Sequence, residues 1–407
     1  MTARFCRYLD KVFAFGEKIG SLGDKRKLPR IPTAAVWGSV FFLFVLRRGS
    51  LNAMELALRV PRRMEGLVGQ ARPSADRMGD VLGLMEPDQL RGLLSGINRK
   101  LGRNKALKND WPLKVAAVDG HEFFSSRHRS CPACSERKVK VKGKKVTEFY
   151  HRGVVFHLVG FPMAIPLDCE LCRPGEGEVV TAKRLLKRAI THYGRFFDVV
   201  VGDALYMEAP FFTFCLQHKK GVIAVLKGKR ALLTDAKGVF ALSRPKVWTE
   251  NRVRVRAWDE EGFTTADGIG SPLRVLHTEE EVTVRERHRN RWVEKTERHH
   301  WWWATTLPAS RLPTRMLWRA AHRRWDIEND LFNTLVTHWS LDHCFKHEPT
   351  AILTFVLTLF IAFVLLQSFY YGNLKQQRRF HLSLVGLAME LYLGVVTMDT
   401  PASWVPP

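Results

Sequence analysis

Three acidic residues stand where side chains could do metal chemistry. Asp119 closes the apolar run KVAAVD at residues 114–119, Asp203 closes FDVVVGD at 197–203, and Glu328 lies within RRWDIENDLFN at 323–333. Read at helical spacing, residues 313–347 place Leu317, Ala321, Leu331, Leu335 and Trp339 on one stripe. Arg324 and Glu328 fall on that same stripe, one turn apart. A carboxylate and a guanidinium on a buried stripe are costly unless something nearby needs them. Converging carboxylates could hold magnesium, which prefers oxygen ligands and keeps several waters. Two such ions can activate an attacking oxygen and stabilise a leaving one, which is what phosphodiester cleavage requires.

The elements that must position these groups follow from periodicity. From Lys114 the pattern reads as strands: KVAAVD ending on Asp119, then 147–160 and 162–168 joined by the tight Gly160-Phe161-Pro162 connection of a hairpin. Residues 176–193 are an amphipathic helix, 197–203 a buried strand, 207–218 a helix and 221–226 another strand. The order β, β-hairpin, α, β, α, β predicts an α/β fold with an RNase H-like mixed five-stranded sheet flanked by helices. In it the first and fourth strands lie side by side and parallel, so Asp119 and Asp203 come close. Residues 227–311 break the alternation, with turns at 235–238 and 267–272, and read as a mainly β-rich insertion. It ends in His299-His300-Trp301-Trp302-Trp303, whose rings could stack on bases or pack the insertion onto the core.

Residues 1–110 read as an N-terminal helical domain, with periodicity over 5–19, 33–46, 51–60 and 74–100 and a helix starting at Pro87. A basic helical unit ahead of a core suits DNA binding; a packing appendage is the plain alternative. The expected division is 1–110 helical, 111–226 first part of the core, 227–311 insertion, 312–370 second part of the core and 371–407 a C-terminal tail.

Two CxxC pairs, Cys131/Cys134 and Cys169/Cys172, have the form of a structural four-cysteine zinc site. The hairpin between them would bring both pairs to one end of the sheet. Cys6, Cys215 and Cys344 read as small buried residues. His121, Glu122, Glu176 and Glu178 stand near the motifs and could support them.

Composition narrows the class. There are 64 Lys and Arg against 40 Asp and Glu, a net charge of +24, which favours a polyanionic partner, nucleic acid first. Apolar residues make up 46% of the chain, enough for a core. No secretory signal is visible and seven cysteines argue against an extracellular disulfide scaffold, so the cytoplasm is the expected compartment. Residues 351–369, AILTFVLTLFIAFVLLQSF, are uncharged and long enough to span a bilayer. A helix buried all round inside a large core reads the same way and is the preferred reading, so no membrane is expected.

The three acidic blocks, VAAVDG, VVVGDALY and RRWDIENDLFN, resemble those of a DDE transposase of the insertion-sequence 4 family, from bacterial mobile elements. The resemblance covers 114–370 and is most specific around Glu328. It implies an RNase H-like core split by a β-rich insertion ahead of the glutamate helix. It also implies that Asp119, Asp203 and Glu328 hold two magnesium ions, with manganese as a substitute, while Arg324 orients Glu328 or a phosphate. The substrates it implies are terminal inverted repeats and target DNA, and the working form a homodimer on DNA. The chain departs from the family's pattern at two places, where Ala321 replaces a tyrosine and Leu335 a lysine. A catalytically inactive DNA-binding protein on a transposase-like scaffold is the alternative.

Overall fold

The computed structural model describes residues 1–60, 63–228, 230–288 and 291–397, so 398–407 of the expected tail lie outside the described residues. The strands are β1 (Val115–Ser126), β2 (Ser135–Val141), β3 (Lys144–Leu158), β4 (Ile165–Leu171), β5 (Val199–Gly202), β6 (Gly221–Val225), β7 (Lys246–Glu250), β8 (Val253–Phe263), β9 (Leu273–His288) and β10 (Arg291–Thr305). The α-helices are α1 (Thr2–Phe13), α2 (Phe15–Gly20), α3 (Thr33–Val45), α4 (Leu51–Arg59), α5 (Glu65–Val68), α6 (Ala75–Leu84), α7 (Pro87–Arg103), α8 (Glu178–Tyr193), α9 (Ala209–Gln217), α10 (Ala231–Ala241), α11 (Thr314–His322), α12 (Asn333–Trp339), α13 (Pro349–Asn373), α14 (Gln376–His381) and α15 (Leu384–Thr397).

The chain divides into two compact units. One holds Met1–Asn109, Gly120–Gly194 and the described residues from Ile327 on; the other holds Asp110–Asp119 and Arg195–Asp326. Met1–Asn109 falls in the first unit, and residues 227–311 share the second with β5 and β6. Strand β1 contributes residues to both units.

The first unit is organised around α13. Its 25 residues start at Pro349, where a missing N–H costs nothing, and Glu348 caps the first turn by accepting from Thr350 N at 3.0 Å and Ala351 N at 2.7 Å. The helix has no polar face because it is covered on every side, packing against α3, α6, α7 and β4. Of its most apolar window, 89% is buried inside the protein. Its few polar groups meet partners in that shell: Thr358 Oγ1 accepts from Trp37 Nε1 at 2.9 Å, and Thr354 Oγ1 donates to the Leu82 carbonyl at 2.9 Å. The Gln367 amide bonds both main-chain groups of Ala164 at 2.9 Å. The bilayer-length run is therefore a core helix. In the same unit β3 pairs antiparallel with β2 and with β4, and neighbours β1.

In the second unit, β1 runs parallel to β5 and β5 parallel to β6, the latter pair joined through α9. Strand β5 is VVVG and buried throughout, as a strand covered on both faces must be. Strand β10 then pairs antiparallel with β6, and β9, β8 and β7 follow in an antiparallel ribbon. The first and fourth of the expected strands, β1 and β5, are adjacent and parallel, and the fold is RNase H-like: a mixed sheet flanked by helices.

Three local expectations are corrected. Strand β1 does not stop at Asp119 but continues to Ser126, and a further strand, β2, pairs with β3. Residues 235–238 are not a turn: they lie inside α10, where Leu232, Ala236 and Phe240 supply a buried face that outweighs the Asp and Gly signals.

Candidate active site

Asp119 lies within β1 and Asp203 just past the end of β5. Val115, Ala116 and Ala117 of β1 pair with Val199, Val200 and Val201 of β5, and the paired stretch ends two residues ahead of each aspartate. Asp203 also caps the short helical turn Ala204–Tyr206, its Oδ1 accepting from Leu205 N at 2.8 Å. Capping uses one lone pair of one oxygen and leaves acceptor capacity for a cation.

Arg324 is buried and its Nη1 lies 3.3 Å from Asp119 Oδ2. Its guanidinium carbon also sits 4.1 Å from the centre of the Trp325 ring. The oddity on the helical stripe thus has a local cause, a carboxylate on the strand it faces. Leu317, Ala321, Leu331, Leu335 and Trp339 are all buried, as the stripe requires.

Glu328 does not sit on a regular α-helix. After α11 the chain tightens into a 3₁₀ turn at Arg323–Trp325 and then widens into a π-helical turn, Ile327–Phe332, before α12. Wide turns of this kind recur at functional sites because they re-aim one side chain while the helix continues. Glu328 is half-buried. Four residues later, the Phe332 ring stacks on His121 of β1 with centroids 4.5 Å apart. Burial pushes the His121 imidazole down to about 4, against the raising influence of Asp342 and Glu122, so it is neutral near pH 7.

The other acidic residues near the motifs have local partners. Glu122 and Glu148 clamp Arg137, with Glu122 Oε2 2.6 Å from Nη1 and Glu148 Oε2 2.7 Å from Nε. Glu176 accepts from Arg173 N and Thr181 Oγ1 at 3.0 Å and pairs with Arg184. Glu178 is buried, pairs with Arg152 and lies over Gly120, where a Cβ would collide with its carboxylate. Gly120 is thus a close-approach glycine beside Asp119 in the chain.

The two CxxC pairs part company. Cys131 and Cys134 lie together, with sulfurs 3.7 Å apart, but their neighbours are His151 and His347 rather than Cys169 and Cys172. The reason is the alternation of β4. Asp168 and Glu170 point to one face, where Arg91 Nε is 3.0 Å from Asp168 Oδ1, Arg188 Nε is 2.9 Å from Oδ2, and Arg188 Nη1 is 2.5 Å from Glu170 Oε2. That ion network fixes β4 and turns Cys169 to the opposite face, fully buried. His151 was hidden in a strand, and His347 is separated from Cys134 by more than 200 residues.

The tryptophan run on β10 packs rather than projects. Trp303 is buried, and Trp302 stacks on His277 with centroids 3.8 Å apart, next to Trp258 and Phe240.

An RNase H-like mixed sheet with acidic residues on its parallel strands is the architecture of enzymes that work on nucleic-acid phosphodiesters. The chain matches the family model described as "Transposase DDE domain" over residues 112–365, more than half its length, and it belongs to that family. Comparison with curated proteins finds no match. The family makes the chain a transposase, with DNA as its partner.

Proposed function

We propose that this transposase is of the insertion-sequence 4 kind, cleaving the ends of its element and joining the freed 3′-OH to target DNA. Asp119, Asp203 and Glu328 are the proposed ligands of two magnesium ions, with manganese able to replace them. One observation carries the reading: Asp119 and Asp203 belong to neighbouring parallel strands, on β1 and just past β5, inside the family span. Like charges carried by adjacent strands repel where they come close, and a divalent cation between them relieves the repulsion. An all-oxygen donor set suits magnesium. Arg324 offsets part of the charge on Asp119, and the π-helical turn supplies Glu328 a few residues further along. When bound, the cations would supply an activated attacking oxygen and neutralise the leaving one.

The excess of Lys and Arg supports salt-dependent DNA affinity. Action on two element ends calls for a homodimer on DNA, and the cytoplasm is the proposed compartment. The chain incubated with DNA carrying element ends and magnesium nicks it; Asp203→Ala and Glu328→Gln do not. Undiminished nicking by either variant would sink the assignment. A second reading is favoured by Leu335, which is fully buried where the family keeps a lysine. On that reading the scaffold binds DNA without cutting, and binding with no metal-dependent product from the unaltered chain decides for it.

A further inference from the structure

We propose that Cys131, Cys134, His151 and His347 form a structural zinc site that ties the segment after the Glu328 turn to strands β1–β3. All four belong to the first unit. They come from three separate places: the loop before β2, strand β3, and the connection between α12 and α13.

The four donor atoms are close enough to share one tetrahedral cation. Cys131 Sγ and Cys134 Sγ are 3.7 Å apart; His151 Nε2 is 3.3 Å from each, and His347 Nε2 is 3.2 Å from Cys134 Sγ. All four ligand atoms lie within 4.8 Å of one another. Zinc bonded tetrahedrally at about 2.3 Å to sulfur and about 2.0 Å to nitrogen requires edges of about 3.8 Å for S···S and about 3.5 Å for S···N. These four distances fall within a few tenths of an ångström of those edges.

Hydrogen bonding alone explains the cluster poorly. Cys134 Sγ receives two imidazole nitrogens, the second sulfur and, at 3.3 Å, the Cys131 N–H. A thiol brings one proton and is a weak acceptor, so it cannot account for so many close approaches. A thiolate pair bound to a cation can. The tight turn between the cysteines, closed by Cys134 N to Cys131 O at 3.0 Å, is the usual device for aiming two sulfurs at one point. Phe124 packs against both histidines, with centroids 5.4 Å from His151 and 5.0 Å from His347, and so fixes the rings. Two sulfurs and two imidazoles select zinc over the hard cations that suit carboxylates. By contrast, the triad His277, Glu279 and His300 lies on the paired strands β9 and β10 with Glu279 engaged by Arg256, and lacks soft ligands.

The site has a mechanical consequence. His347 stands just ahead of Pro349, where α13 begins, and α12 follows the Glu328 turn directly. Metal binding would anchor this connection to the hairpin of β2 and β3.

The test is metal content of the full-length chain purified without added metal. One zinc per chain is expected, lost in Cys134→Ser and His347→Ala and kept in Cys169→Ala and Cys172→Ser. His347→Cys, which restores a ligand, should recover it and so separates loss of a ligand from loss of the fold. Replacement by cobalt(II) should give tetrahedral d–d absorption with the charge-transfer intensity of two thiolates. Absence of zinc from the unaltered chain overturns the proposal. So does zinc that survives His347→Ala but not Cys169→Ala, or a four-thiolate cobalt spectrum.

Discussion

The second unit contains two buried arginine–aspartate pairs built to different standards. Arg274 and Asp259 are each 2% exposed and meet through two bonds of 2.6 Å. Arg274 also donates to the Leu312 carbonyl at 2.7 Å, and Thr314 Oγ1 donates to Asp259 at 2.5 Å. Arg324 and Asp119 approach only to 3.3 Å, and the Asp119 side chain remains 16% exposed. The first pair is closed: fork against fork, with additional hydrogen bonds at both ends. The second leaves a carboxylate accessible beside a guanidinium that steadies it. A fork-against-fork pair sealed from solvent is a structural lock, whereas a carboxylate that still reaches solvent is within reach of a further ligand.

That contrast breaks if the two aspartates prove interchangeable. Asp119→Asn should lower magnesium-dependent nicking by about 10³-fold or more, a loss of several kcal/mol of transition-state stabilisation. Its thermal melting point should stay near that of the unaltered chain. Arg274→Ala should do the reverse, costing about 3–5 kcal/mol of folding stability by stranding Asp259, read as a lower denaturant midpoint. A stable Arg274→Ala variant, or an unfolded Asp119→Asn variant, would erase the distinction.

Acid tests the other unit, through a core histidine of β3. Burial pushes His157 of β3 down to about 3, so the native state holds it neutral. The unfolded chain takes up that proton at an ordinary histidine pKa, near 6.5. Stability from this group is therefore complete above about pH 6.5 and falls by about 1.4 kcal/mol per pH unit as the pH drops toward 3. Denaturant unfolding at pH 7 and pH 5 should show the fall, and His157→Leu should flatten it. A wild-type midpoint unchanged over that window would contradict the assignment.

The smallest stability effect concerns Asp203, which caps a turn as well as being a proposed metal ligand. Asp203→Asn should keep the cap and abolish nicking, while Asp203→Ala should abolish nicking and cost about 1 kcal/mol more in stability. Equal stability of the two variants would show that the cap contributes nothing.

Much of this arrangement was legible in the sequence. The apolar runs before Asp119 and Asp203 made the parallel pair legible, because buried parallel strands read as near-continuous apolar stretches. The glutamate block was legible as an amphipathic helix, but its wide turn was not: IENDLF carries no local signal separating π from α geometry. The extension of β1 to Ser126 and the pairing of β2 escaped notice since residues 120–141 are polar and basic. The cysteine pairs looked like a matched set of four. Spacing could not show that Arg91 and Arg188 claim the flanks of Cys169, nor that His347 arrives from the far end of the chain. Ligands gathered across such separations leave no periodic trace.

The order of synthesis gives α13 a second meaning. Its cover, α3, α6 and α7, leaves the ribosome some 250 residues before the helix itself. Until then those apolar faces have nothing permanent to close over, and they are exposed to premature association. A chain interrupted before Pro349 would be left in that condition for good. The segment most apt to be mistaken for a membrane anchor is the one whose arrival lets the first unit close.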